Sequence, residues 1–218
     1  MKTTLFRPVG HQELALVWDS GMREFPPRLP HQPIFYPVTP IEHATQIARD
    51  GNTVDDASGL AGFVLQFRVA SEFLTHFEPV RAGSSSRIEY QIPAGQLGSF
   101  NTAILGSIEA VSAYFGAALQ GRVRERFGLG GENAVQPFVA MSAWWDYSSF
   151  DFGCEVSANR RGFFLNFLFG SQYDFTSVGI DWPQRDKTLG RMREAWAFHR
   201  MEIPLPAGSA ATQTKEEI

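Results

Sequence analysis

The sequence is poor in the residues that carry most recognisable chemistry. Of 218 residues one is a cysteine, Cys154, which rules out an intramolecular disulfide and points to a reducing compartment. Charged residues make up only 19%, and a net charge of -4 gives no electrostatic ground for a nucleic-acid partner. No apolar run approaches the roughly 20 residues of a membrane span. The first residues hold one lysine and no long apolar stretch, so they do not read as a signal peptide. The expectation is a cytoplasmic chain with no membrane partner. The five histidines, at 11, 31, 43, 76 and 199, show no paired ligand spacing, and one cysteine cannot build a zinc site, so no metal is expected. Gly128-Leu-Gly-Gly131 has neither the GxGxxG pattern nor a Walker lysine, and there is no Gly-x-Ser-x-Gly elbow.

What the chain has in abundance is apolar and aromatic bulk. Hydrophobic residues are 44%, aromatics 13%, and phenylalanine alone contributes 19 residues, enough for a large core. Residues 3–9 read as a strand, and Gln12 to Met22 as a helix with Leu14, Val17, Trp18 and Met22 on one face and Gly21 at its end. Residues 25–33 hold four prolines and read as a stiff extended loop. Ile34 to Val38 reads as a short buried strand. Thr39-Pro40-Ile41-Glu42 then offers an N-cap, a proline at the first helical position and a capping-box glutamate for a helix to about Arg49. Ala61 to Val69 reads as a strand, Ser71 as the cap of a short helix, Gly83 to Ser86 as a flexible turn, Arg87 to Ile92 as a strand, and Ile104 to Phe115 as a strand with a helix as the alternative.

The composition breaks near 118–131, which reads as a linker. Beyond it, Phe150–Val156 and Phe163–Phe169 read as two strands of a hairpin joined by the six residues Ser157 to Gly162, with Phe150, Phe152, Cys154 and Val156 on one face by period two. Asp186 to His199 reads as a helix with Leu189, Met192 and Trp196 inward. Residues 207–218 read as a disordered polar tail. The expected organisation is an α+β chain: a first domain at 1–117, a linker at 118–131, a smaller hairpin-plus-helix α+β module at 132–206, and the tail.

Three residues of the first domain stand out as candidate catalytic groups. Arg7 lies mid-strand among apolar neighbours. An arginine out of water needs an anionic partner; a dinucleotide pyrophosphate would serve, and so would a structural carboxylate. Tyr36 can stack on a flat base, or close the rim of the core with its hydroxyl in water. Glu89 can stabilise the oxocarbenium-like transition state of glycosyl transfer by holding a ribose hydroxyl, or simply face solvent; Gln91, two residues on, shares its strand face. Cys154 reads as a small core residue. Trp144, Trp145, Tyr147 and Phe150 form an aromatic cluster that reads as core packing, with a partner-binding patch as the alternative.

Leu5-Phe-Arg-Pro-Val-Gly10, Glu13-Leu14, Trp18-Asp-Ser-Gly21, the long block Phe25 to Val38, Gln46 to Asp50 and Ile92-Pro-Ala94 together resemble small bacterial proteins that carry the description "ADP-ribosylation/crystallin J1", over about residues 1–117. The resemblance implies an ADP-ribosyltransferase-like split sheet with Arg7, Tyr36 and Glu89 at its strand positions. It implies NAD as substrate, with Arg7, Tyr36 and Gln91 as the residues that bind it and an unknown protein or small-molecule acceptor. Tyr36 stands where arginine-type transferases carry a serine-threonine-serine strand, and Arg7 stands where histidine-type transferases carry histidine. The glutamate or glutamine expected two residues before Glu89 is Arg87. Three functions are open: NAD-dependent ADP-ribosyl transfer or NAD binding by a degenerate relative; a non-catalytic interaction, immunity or regulatory protein on the same fold; and a small-molecule hydrolase using Glu89 with another carboxylate, against which stands the lack of a paired-carboxylate motif. Transfer requires Arg7 and Glu89 to converge on one concave face, with Tyr36 at its wall and side-chain tips within about 10 Å.

Overall fold

The chain folds into two units, Met1–Gln120 and Gly121–Ile218. The computed structural model describes residues 1–81, 88–119, 134–199 and 202–206. The expected turn at Gly83 to Ser86, the strand start at Arg87, the glycines of 128–131 and the tail 207–218 lie outside these.

The first unit is a mixed α+β fold on antiparallel strands. β1 (Lys2–Val9) pairs along its whole length with β4 (Ala61–Ala70), from Lys2 opposite Ala70 to Val9 opposite Phe63. β4 in turn pairs with β8 (Glu109–Phe115), with a register shift at Val64/Leu65. On the other side of β1 come β3 (Val38–Thr39), β6 (Ile88–Tyr90) and β5 (Pro79–Arg81), giving a six-stranded sheet in the order β5-β6-β3-β1-β4-β8. A second sheet holds β2 (Ile34–Phe35) and β7 (Ile92–Pro93) alone.

The split between these sheets comes from two short interruptions. The expected single strand Ile34 to Val38 breaks at Tyr36-Pro37 into β2 and β3; Pro37 has no N–H to give to a ladder. The expected strand ending at Ile92 breaks at Gln91 into β6 and β7. The two breaks are stitched together by the Tyr90 N–H donating to the Pro37 carbonyl at 2.9 Å. Both strand pairs thus leave one sheet for the other at the same level.

Leu5, Val9, Phe63, Leu65, Phe67 and Val69 share one face of the main sheet by alternation along β1 and β4, and all are buried. Phe25, Phe35, Phe67 and Phe100 interlock there with ring centroids 4.7–6.0 Å apart. α1 (His11–Asp19) packs on β1 and β4, burying Leu14 and Val17 as its pattern predicts. It stops earlier than expected. Gly21, at φ 74°, ends it in a Schellman turn in which the Met22 N–H reaches the Val17 carbonyl and the Gly21 N–H the Trp18 carbonyl.

The opposite face buries Val38 and Val64 under Ala44 and Ala48. These come from α2 (Ile41–Gln46) and the π-helical turn Ile47–Gly51 that continues it. Here the expected capping box is corrected. Thr39 ends β3 and Pro40 takes the N-cap position, with no side-chain cap, because pairing Thr39 with Ile88 commits it to the strand. α3 (Ser71–Leu74) and α4 (Leu97–Thr102) complete the unit; Ala70, not Ser71, precedes α3 as its cap.

Among the described residues of the second unit every regular element is a helix, so the expected hairpin is wrong. Phe150–Val156 lies in α6 (Ser149–Ala158), and Phe163–Phe169 in α7 (Arg160–Gln172). In α6 the buried residues are Phe152, Glu155 and Val156, an i, i+3, i+4 set, while Phe150 and Cys154 are exposed. Cys154 is therefore not a core residue. The Ser148 side chain settles the helix start by accepting the Asp151 N–H at 3.1 Å. The proposed six-residue hairpin loop shrinks to Asn159 between two helices.

α5 (Val135–Tyr147) and α8 (Trp182–Phe198) complete this unit. α8 contains the expected helix with Leu189, Met192 and Trp196 inward, but begins earlier, where Asp181 caps the Gln184 N–H at 2.8 Å. A side chain at Gly170 would approach Phe138 to 2.8 Å; its absence lets α7 meet α5, and Phe138 stacks on Phe175 at 4.2 Å. The aromatic cluster divides. Trp145 meets Phe152 edge-on and carries Arg191 over its face, whereas Tyr147 and Phe150 are 90% and 78% exposed. The core-packing expectation is corrected for those two.

Candidate functional site

Where the strands change sheets, β1 loses its neighbour. Phe6 is paired with Val38, but Arg7, Pro8 and Val9 have ladder partners only on the β4 side. The notch this leaves opens into a cleft of about 530 Å³. Arg7 to Gly10, Glu13, Tyr36, Val38, Glu89 and Gln91 line it. Ile47 and Asn52, at the two ends of the π-helical turn, close one side, and such turns recur at functional sites.

All four residues singled out in the sequence, Arg7, Tyr36, Glu89 and Gln91, thus reach one cleft from three chain segments. Their disposition differs from the one expected. Phe6, Val38 and Glu89 are opposite one another across β1, β3 and β6, so their side chains share a sheet face. Arg7 follows Phe6 and projects from the other face. The expected convergence of Arg7 and Glu89 on one concave face is therefore corrected: the two leave the sheet on opposite faces and share only the lining of the notch. Tyr36 is also not a strand residue. It lies in the break between β2 and β3 and is 38% exposed.

Arg7 is not waiting with a free fork. Its Nε and Nη2 donate to Glu13 Oε1 and Oε2 at 3.3 and 3.4 Å, and its Nη1 donates to the Tyr36 carbonyl at 3.3 Å. The guanidinium lies 5.0 Å from the centre of the Phe35 ring. α1 supplies Glu13 from its first turn, a position that favours a carboxylate. The same Glu13 oxygen lies 3.6 Å from Arg28 Nη1. Arg28 comes from the proline-rich loop. Asn101 pins the start of that loop by accepting the Phe25 N–H at 3.0 Å and donating to the Phe25 carbonyl at 2.9 Å.

Sequence reasoning missed Glu13 and Arg28. Glu13 sits on an amphipathic helix where a carboxylate is ordinarily solvated, and Arg28 lies in a loop with no period to read. Among the described residues no group of three histidine, cysteine, aspartate or glutamate side chains is placed to hold a metal ion, and no helix is long and apolar enough to cross a membrane. No protein-family model, curated protein or solved structure matches the chain.

Proposed function

We propose that the first unit is an ADP-ribosyltransferase-like module that binds NAD in the notch between its two sheets. The single observation that carries this reading is the gathering of Arg7, Tyr36, Glu89 and Gln91 in one cleft. A cleft of about 530 Å³ is in the range that accepts small ligands and cofactors. Arg7 supplies charge to a pyrophosphate, Tyr36 an aromatic wall for a flat ring, and Glu89 and Gln91 acceptors for ribose hydroxyls. Because Arg7 and Glu89 leave opposite faces of the sheet, the convergence that transfer requires is not met, and the reading is NAD binding by a degenerate relative; turnover would need Glu89 to reach the ribose as nicotinamide leaves. Titration of the full chain with NAD by calorimetry tests the reading. Binding should be measurable and should weaken by about tenfold or more in Arg7→Gln, the loss of one bidentate charged contact. An absence of heat and of competition with any nicotinamide nucleotide would reject it.

A second reading has its own support. The sheet register sets Arg7 and Glu89 on opposite faces, and Tyr147 and Phe150 stand exposed in the second unit. Both fit a non-catalytic interaction, immunity or regulatory protein on a degenerate transferase-like fold. Nicotinamide release tests for turnover. If the chain turns NAD over, Glu89→Gln should lower the rate by about 100-fold while binding changes much less. A rate unchanged by that substitution excludes Glu89 from the chemistry. Binding without any turnover in the unaltered chain fits the first reading; no binding at all favours the second.

A further inference from the structure

Two arginines face one carboxylate at the cleft: Arg7 and Glu13 line it, and Arg28 stands behind the lining, in contact with Glu13 and Gln32. Glu13 Oε1 lies 3.3 Å from Arg7 Nε and 3.6 Å from Arg28 Nη1. The side chains of Arg7 and Arg28 are only 12% and 7% exposed, and that of Glu13 21%. Arg28 Nη2 donates to Gln32, which lines the cleft together with Glu13. Its Nε is buried with no hydrogen-bond acceptor among the described residues. Two guanidinium groups and one carboxylate leave one positive charge uncompensated at a largely buried place, and such a charge is costly unless an anion joins it. The strain shows in Arg28, whose guanidinium is held below its ordinary range by burial first and by the charge of Arg7 next, with Glu13 pulling the other way. Glu89, on the opposite wall, gives the cleft a negative end away from this cluster.

We propose, building on the NAD reading, that Arg7 and Arg28 form a two-arginine site for the phosphate groups of the ligand, and that Glu13 is a resident counter-ion that holds both arginines in place and competes with the incoming anion. Glu13 is here a positioning residue. It occupies the Arg7 fork that a phosphate would use, and it keeps two like charges together when no ligand is bound. The cleft is then polar end to end: arginines take the anionic part of a ligand, and Glu89 and Gln91 take its hydroxylated or cationic part. The sequence position of Arg28, in a loop anchored by Asn101, makes it a second phosphate residue beyond the strand arginine.

The experiment titrates the full chain with inorganic pyrophosphate at fixed low salt, in parallel with NAD. Removing the competing carboxylate in the isosteric Glu13→Gln should tighten pyrophosphate binding by about tenfold, and Arg28→Gln should weaken it by about tenfold, each near 1.4 kcal/mol. Arg28→Lys, which keeps the charge but loses the fork, should fall between Arg28→Gln and the unaltered chain. Glu24→Gln makes the same change in net charge at an exposed position and should leave binding within about twofold. Weaker or unchanged binding in Glu13→Gln overturns the proposal, as does equal tightening in Glu24→Gln or unchanged binding in Arg28→Gln. If melting shows that Arg28→Gln has lost its fold, the Glu13 and Glu24 pair decides alone. Pyrophosphate binding with this pattern and no binding of NAD would keep the anion site and remove the dinucleotide reading.

Discussion

The two units of the chain use the same residue, phenylalanine, in similar apolar runs and reach opposite secondary structures. In the first unit Ala61–Ala70 carries Phe63, Val64, Leu65, Phe67 and Val69 and forms the central strand β4. In the second, Phe163–Phe169 carries four phenylalanines and two leucines and forms part of helix α7. Aromatic and β-branched residues favour strands, but only where a partner strand and a half-buried pleated surface exist. β4 has β1 and β8 on either side. α7 has helices α6 and α8 as neighbours, and what decides its surroundings is capping: Ser148 and Asp181 fix the starts of α6 and α8 by accepting backbone N–H groups. The lesson is that a short apolar run carries little information about its own conformation, and the elements it packs against carry more.

The sharpest way to break this comparison is to delete rings that a strand would treat alike and a helix does not. On an alternating strand Phe150 and Phe152 share one face; in α6 Phe152 is fully buried and Phe150 is 78% exposed. Phe152→Ala should cost about 3–5 kcal/mol of stability, while Phe150→Ala should stay within about 0.5 kcal/mol. Urea unfolding of the two variants measures both. Equal losses would restore the hairpin. Phe35→Ala, fully buried in the first unit's ring cluster, is the counterpart there and should also lose about 3–5 kcal/mol.

A smaller effect tests the capping argument. Ser148→Ala removes the acceptor for the Asp151 N–H and should cost about 1 kcal/mol. Ser149→Ala, at an exposed position next to it, should cost far less. If both are neutral in denaturant unfolding, the start of α6 is set by packing and not by its cap.

What could be read from the sequence follows the same division. Strands with long ladders, such as β1 and β4, were legible, because their buried runs are bounded and pair along their whole length. Of the site, the sequence carried only the segments that border the cleft: Tyr36, expected on a strand, lies in the break between β2 and β3. The relative faces of Arg7 and Glu89 were not legible. Alternation is certain within one strand, but the phase between strands depends on register, which here sets Phe6, Val38 and Glu89 opposite one another across the two-residue β3. Glu13 and Arg28 were hidden for a different reason: an ion pair between a helix and a proline-rich loop leaves no periodic mark. In the second unit the period was misread where Asp151, Gly153 and Glu155 fall between apolar residues and imitate alternation.

The smallest effect compares one kind of turn in both units. Asp55 in the first unit accepts the Ser58 hydroxyl at 2.5 Å and the Ala57 N–H at 3.1 Å, and Asp174 in the second accepts the Thr176 N–H at 2.9 Å. Both carboxyls are held below the usual aspartate range, Asp55 chiefly by the hydrogen bond from Ser58 and Asp174 chiefly by that from the Thr176 side chain. A depressed carboxylate favours the folded chain while it is ionised, so the contribution is present above the unfolded value of about 3.9 and is lost as pH falls through the lower folded value. Because both groups are exposed, the effect is small and screened by salt. The two differ in what depends on them: Ser58 lines the cleft and backs the close approach of Gly10, whereas nothing of the site rests on Thr176. Asp55→Asn should therefore lower the melting temperature slightly at pH 6, by an amount that shrinks as pH falls below the ordinary aspartate range, and should also weaken ligand binding in the cleft. Asp174→Asn should show the same pH-dependent melting with binding unchanged. A binding change in both variants, or in neither, would mean that the Asp55 turn does not shape the cleft.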